Sequence, residues 1–162
     1  MTFQVIGCGN LDRGDDAAGL LVARRLRQLG VPAQEQSGEA FVLMESLASA
    51  EKVVLVDAVA AEGEPGAVQV WNANLVPLPR ESFCCSTHAF GVREAVELAR
   101  ILGRLPLTLI VYGIAGRNFQ MNASLSPEVA GAVERAAQRI AADFFGAAPT
   151  KNAFAGAVKE II

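Results

Sequence analysis

Apolar residues are spaced along this chain in two alternating ways. FQVIGC (3–8), EKVVLVDAV (51–59) and LPLTLIVYGI (105–114) are nearly continuous apolar runs. Runs of that length, ended by glycine or a charge, predict strands buried on both faces. Between them the apolar positions recur at helical spacing. Leu21, Val22, Leu26 and Leu29 share one face of a helix predicted over 15–29, with Arg24, Arg25 and Arg27 mostly outside it and Gly30 ending it. Phe41, Met44 and Leu47 form the stripe of a short helix over 40–49. A further helix is predicted over 88–102, and a long one over 126–145 with Ser126 as N-cap and Pro127 in its first turn. VPAQEQ (31–36) reads as a weak edge strand and AVQVWN (67–72) as another strand. AEGEPGA (61–67) and the proline-broken stretch 74–87 read as loops.

Strands that alternate with helices predict an α/β fold. The expected architecture is a three-layer α/β/α sandwich, with a mostly parallel twisted sheet of about five strands and helices on both faces. One such domain over 1–146 accounts for most of the 162 residues, leaving 147–162 as a tail or a short docked helix.

Composition narrows the setting. LPLTLIVYGIAG is the longest apolar stretch, too short and too glycine-broken to insert into a membrane. The start MTFQVIGCGN lacks the basic and apolar regions of a signal peptide, so a cytoplasmic location is expected. A net charge of −3 argues against a nucleic-acid partner. Cys8, Cys84 and Cys85 form no disulfide framework and fit a reducing compartment. The adjacent pair Cys84 and Cys85 reads as small apolar fillers before it reads as thiol chemistry.

The candidate chemistry starts in GCGNLDRGDDAAG (7–19), between the first strand and the first helix. Gly7 and Gly9 fit the first two positions of a dinucleotide fingerprint, but Asp12 stands at the third, where its charge would oppose a pyrophosphate. A structural reading gives Gly7, Gly9 and Asn10 to the tight turn and Asp15 to capping the helix. A third reading makes Asp16 a ligand group. In an open α/β sheet, functional groups gather beyond the carboxyl ends of the strands. Asp57 ends the run VVLVDAV there, and His88, the only histidine, stands in STHAFG at a loop-to-helix boundary. Two carboxylates and an imidazole suit a divalent transition metal and leave a coordination position open.

These blocks, in this order, resemble the hydrogenase maturation endopeptidases of NiFe hydrogenases. The resemblance runs from Phe3 to about Phe145 and is carried by GCGNLDRGDDAAG, VVLVDAV, STHAFG, and LTLIVYGIAGRNF followed by LSPEV. It implies an endopeptidase that removes the C-terminal extension of the hydrogenase large-subunit precursor. It implies nickel binding by Asp16, Asp57 and His88, the family accepting Glu or Asp at the first position. It further implies that nickel arrives with the precursor as part of the substrate. Either a carboxylate activating water or the metal polarising the carbonyl would break the bond.

The chain departs from the family pattern at QSGEAF (36–41), where a glycine-glycine-threonine turn linked to substrate recognition retains only Gly38, followed by Glu39. Asp12 and Arg13 stand where the family is usually apolar. The competing readings are a non-catalytic metal- or precursor-binding assembly factor on the same fold, and a small-ligand-binding α/β domain using Gly7 and Gly9.

Overall fold

The computed structural model describes residues 2–60, 63–84, 86 and 88–146, and the backbone of 158–161. The elements run β1 (Phe3–Cys8), a 3-10 turn (Gly14–Ala17), α1 (Ala18–Gln28), β2 (Gln34–Gln36), α2 (Ala40–Leu47), β3 (Lys52–Ala60) and β4 (Val68–Asn72). They continue with α3 (Val92–Ile101), β5 (Thr108–Gly116), α4 (Pro127–Phe145) and β6 (Val158–Ile161). Among the described residues, six strands join one sheet in the order β2-β1-β3-β5-β4-β6. The strands β2, β1, β3 and β5 are mutually parallel, β4 is antiparallel to β5, and β6 runs alongside β4. The α/β/α expectation holds, with a sixth strand in the region read as tail or helix.

Side-chain alternation sorts the layers. Val54, Val56 and Ala58 of β3 pack with α1 and α4, whose inner faces include Val22, Leu26, Val133 and Ile140. Val53, Leu55 and Val59 face the other way, against Leu43 and Leu47 of α2 and Val96 and Ala99 of α3. Asp57 takes its turn in that second series, a carboxylate in a row of core residues.

The reversed β4 follows from connection length. Only residues 61–67 separate it from β3, and a parallel return needs a crossover of a dozen residues or more. α3 starts at Val92, four residues later than the spacing suggested, because residues 88–91 are held as a bend. The carboxylate of Glu94 accepts a hydrogen bond from the Gly91 N–H at 3.0 Å and defines the helix start.

The strand order places a switch point between β1 and β3. From β1 the chain goes outward to β2, and then returns across the sheet to β3 on the other side. Crevices open at such points, beyond the carboxyl ends of the strands. Pairing between β1 and β3 ends at Gly7 with Val56, while β3 continues along β5 as far as Ala60 with Gly116. Asp57 is therefore the first β3 residue past the end of its pairing with β1.

Candidate active site at the switch point

The loop after β1 is a compact turn. The Asn10 side chain accepts from the Asp12 N–H at 2.9 Å, and the Asn10 N–H donates to the Asp16 carbonyl at 3.2 Å. A Cβ on Gly9, at φ +151°, would lie 2.0 Å from the Asp16 carbonyl oxygen. One on Gly7 would lie 2.0 Å from the Gly19 carbonyl oxygen. Both glycines are therefore required by close packing of the protein's own backbone.

Asp15 corrects the sequence reading: it makes no side-chain cap on α1. Fully buried, it reaches across to the segment after β5. Its Oδ2 accepts from the backbone N–H of Arg117 at 2.7 Å, that of Asn118 at 3.0 Å and the Ser126 hydroxyl at 2.7 Å. Its Oδ1 accepts from the Ser126 N–H at 2.7 Å. Burial alone would raise the Asp15 pKa, but these donors together outweigh it and hold the carboxyl below the ordinary range. Ser126 precedes α4 as predicted, yet its hydroxyl serves Asp15 and not the helix.

Asp16 is turned the other way and is 5% exposed. Arg13, three residues earlier, places Nη1 at 3.3 Å from its Oδ2. Burial raises Asp16, and Arg13 and, more weakly, His88 act against that rise. Burial first, and then the Asp16 charge, push Asp57 well above the usual carboxylate range. The same two carboxylates, behind the larger effect of burial, push up the Cys8 thiol beneath them. Both effects disfavour the thiolate, and with it nucleophilic chemistry, at Cys8.

His88 comes to this edge on a loop secured at several points. The Ala60 N–H donates to the Ser82 carbonyl at 2.8 Å, and Phe83 packs on Trp71 with ring centroids 5.4 Å apart. The His88 N–H donates to the Ser86 hydroxyl at 3.0 Å, and the Ala40 N–H to the Phe90 carbonyl at 3.1 Å. The half-exposed imidazole lies within electrostatic reach of Asp16 and Glu39. Gly38, at φ +84°, sits beside Cys8 and Val92, so the 36–41 turn also borders the crevice. Glu39 does not present a free carboxylate, because it caps α2 by accepting from the Phe41 and Val42 N–H groups, each at 3.1 Å. Cys84 is exposed and fills no core position, while Cys85 lies outside the described residues.

Asp16, Asp57 and His88 thus lie at one edge, with Asp16 in electrostatic reach of both Asp57 and His88. Among the described residues, no three histidine, cysteine or acidic side chains close into a ready-made metal cage. Two coupled carboxylates, one holding its proton far more tightly, can act as an acid and a base. On losing that proton they can instead accept a divalent cation, which relieves their repulsion. Arg13 and Cys8 were not singled out as site residues from the sequence. The spacing of Arg13 to Asp16 was the available signal for the first, and the register of β1 against β3 for the second.

Comparison with known proteins gives the family and the fold. Residues 38–143 match the family model for the hydrogenase maturation protease HycI. Protein FrxA of Pyrococcus furiosus is 30% identical over 129 residues, covering 78% of this chain and 93% of its own. The crystal structure of a NiFe hydrogenase maturation protease HycI from Thermococcus kodakarensis superposes with a TM-score of 0.67 at 27% identity, covering 86% of this chain and 90% of that one. The hydrogenase maturating endopeptidase HybD from E. coli shares the fold, with a TM-score of 0.74 at 21% identity over 90% of this chain and 93% of its own.

Proposed function

This chain belongs to the hydrogenase maturation protease family and is a peptidase, and on that premise we propose that it cuts the C-terminal extension from a NiFe hydrogenase large-subunit precursor once that precursor carries nickel. The observation that carries the reading is the coupled pair Asp16 and Asp57 at the switch point. Asp57 is a partly buried carboxylate among core residues, in surroundings that disfavour its charge, which is the behaviour expected of a group retained for chemistry. His88 completes a two-carboxylate, one-imidazole set whose chemistry suits nickel as well as other divalent transition metals.

The donor set fits a metal that arrives as part of the substrate. Three protein groups leave coordination positions for ligands belonging to the precursor. His88, on its half-exposed loop, is the member placed to meet an incoming chain. Phe41, Val42 and Phe90 are exposed on the segments that flank it, an apolar rim suited to an extended polypeptide. Hydrolysis then needs a proton taken from water and one delivered to the leaving amine. Asp16 and Asp57 are the carboxylates at this edge, and whichever is not engaged by the metal is the group placed to exchange that proton.

The test is processing by His88→Ala. His88 is only partly buried, on a loop and outside any helix or strand, so the variant is expected to keep the wild-type circular dichroism spectrum and melting temperature. It loses precursor cleavage by on the order of a hundredfold or more, the scale of removing a positioned site group. Wild-type cleavage by the folded variant contradicts the role given to His88.

A further inference from the structure

The family resemblance accounts for Asp16 but not for the cation lying on it. Arg13 Nη1 stands 3.3 Å from Asp16 Oδ2, with the two side chains only 19% and 7% exposed. The pair is therefore formed inside the crevice and not on the solvated surface, where such pairs contribute little. The backbone around it is fixed. The Arg13 N–H donates to the Asn10 carbonyl at 3.3 Å, and the Arg13 carbonyl accepts from the Asp16 N–H at 3.1 Å. Any displacement therefore falls to the long side chain.

We propose that Arg13 is an internal counter-cation occupying the Asp16 carboxylate, and that a divalent metal ion binds there only by displacing it. This rests on Asp16 and Asp57 being metal ligands. The chemistry follows from the charges. A guanidinium keeps its proton at every accessible pH, so its charge cannot be relieved by deprotonation. A divalent cation bound to Asp16 would stand next to that fixed positive charge in a partly desolvated site, where repulsion is strong. Arg13 must swing outward, giving up a charge-assisted hydrogen bond.

The consequence is selectivity for how the metal arrives. A free aqueous ion gains only the carboxylates and the imidazole, and must offset the lost ion pair. A metal held in a polypeptide brings the contacts of that polypeptide as well, which the docked chain can spend on displacing Arg13. The arginine thus disfavours capture of loose metal and favours a metal presented by a protein.

Titration calorimetry with nickel chloride tests this on the full chain, without reference to cleavage. Wild type, Arg13→Gln, Arg13→Lys, Asp57→Asn and the double variant Arg13→Gln/Asp57→Asn are compared, each first shown to keep the wild-type circular dichroism spectrum. Arg13→Gln is expected to bind nickel on the order of tenfold more tightly, the equivalent of one charge-assisted hydrogen bond. Arg13→Lys retains the charge and stays nearer to wild type. The double variant loses the gain. Equal or weaker binding by Arg13→Gln, or an equal gain by Arg13→Lys, overturns the counter-cation while leaving the metal site intact, provided that Asp57→Asn still weakens binding. Binding indifferent to Asp57→Asn overturns the metal site, and the inference with it.

Discussion

At the scale of single residues, the two neighbouring aspartates behave oppositely because they face opposite ways. Asp15 is held below the ordinary carboxylate range by four donors, so its ionised form stabilises the fold. That contribution is present above the unfolded-state pKa and is lost as pH falls through the depressed native value. Asp15→Asn keeps the size but offers fewer acceptor sites. It is expected to cost about 2–3 kcal/mol at neutral pH, read as a lower urea midpoint, with the difference shrinking toward pH 3. Asp57 has the reverse sign. Its raised native pKa makes ionisation a penalty that is absent below the ordinary carboxylate range and grows as pH rises. Asp57→Asn is therefore expected to melt about 2–4 °C higher than wild type at pH 7, to lose that advantage near pH 4, and to fail in processing. A lower melting temperature at pH 7 would contradict the assignment. The sequence showed Asp57 as an anomaly in an apolar run. It could not show Asp15 reaching Ser126, because that contact joins residues 111 positions apart.

At the scale of elements, the site depends on how closely α1 lies on the sheet. Gly7 of β1 and Gly19 of α1 meet backbone to backbone, where a Cβ on either would come within about 2 Å of a carbonyl oxygen. That approach sets the 3-10 turn, and with it Asp16, against the end of β3. Gly7→Ala is expected to destabilise by about 3 kcal/mol or more and to reduce processing even below its melting temperature, since the helix must lift. A stability within about 0.5 kcal/mol of wild type would contradict the close packing. Gly7 stands in the quoted loop motif, where the sequence alone allowed it two uses, in a ligand site and in a turn. The third use, strand against helix, needed the pairing of the layers. The late start of α3 was hidden for a similar reason. Residues 88–91 have no local signal against helix except Gly91, and they are held open by the Phe90 carbonyl bonding to α2.

At the scale of the whole molecule, the alternation of apolar runs and amphipathic segments made the layered fold legible, along with the edge of the sheet at which Asp16, Asp57 and His88 would gather. The direction of β4 was less visible, because it is decided by a connection too short for a crossover and by pairing with β5, which comes later in the chain. β6 carries no strand pattern separable from a helix in KNAFAGAVKEII and gains its identity from an edge offered by β4. The arrangement of the whole explains why two carboxylates on different elements share one charge environment: the switch point brings the end of β1 beside the middle of β3. The central claim is that this edge cuts a hydrogenase precursor in response to the nickel it carries. Intact-mass spectrometry of a large-subunit precursor, incubated with the protein in nickel-loaded and in nickel-free form, tests it most directly. The account predicts loss of a C-terminal peptide from the loaded precursor alone; equal cleavage of both forms would contradict it.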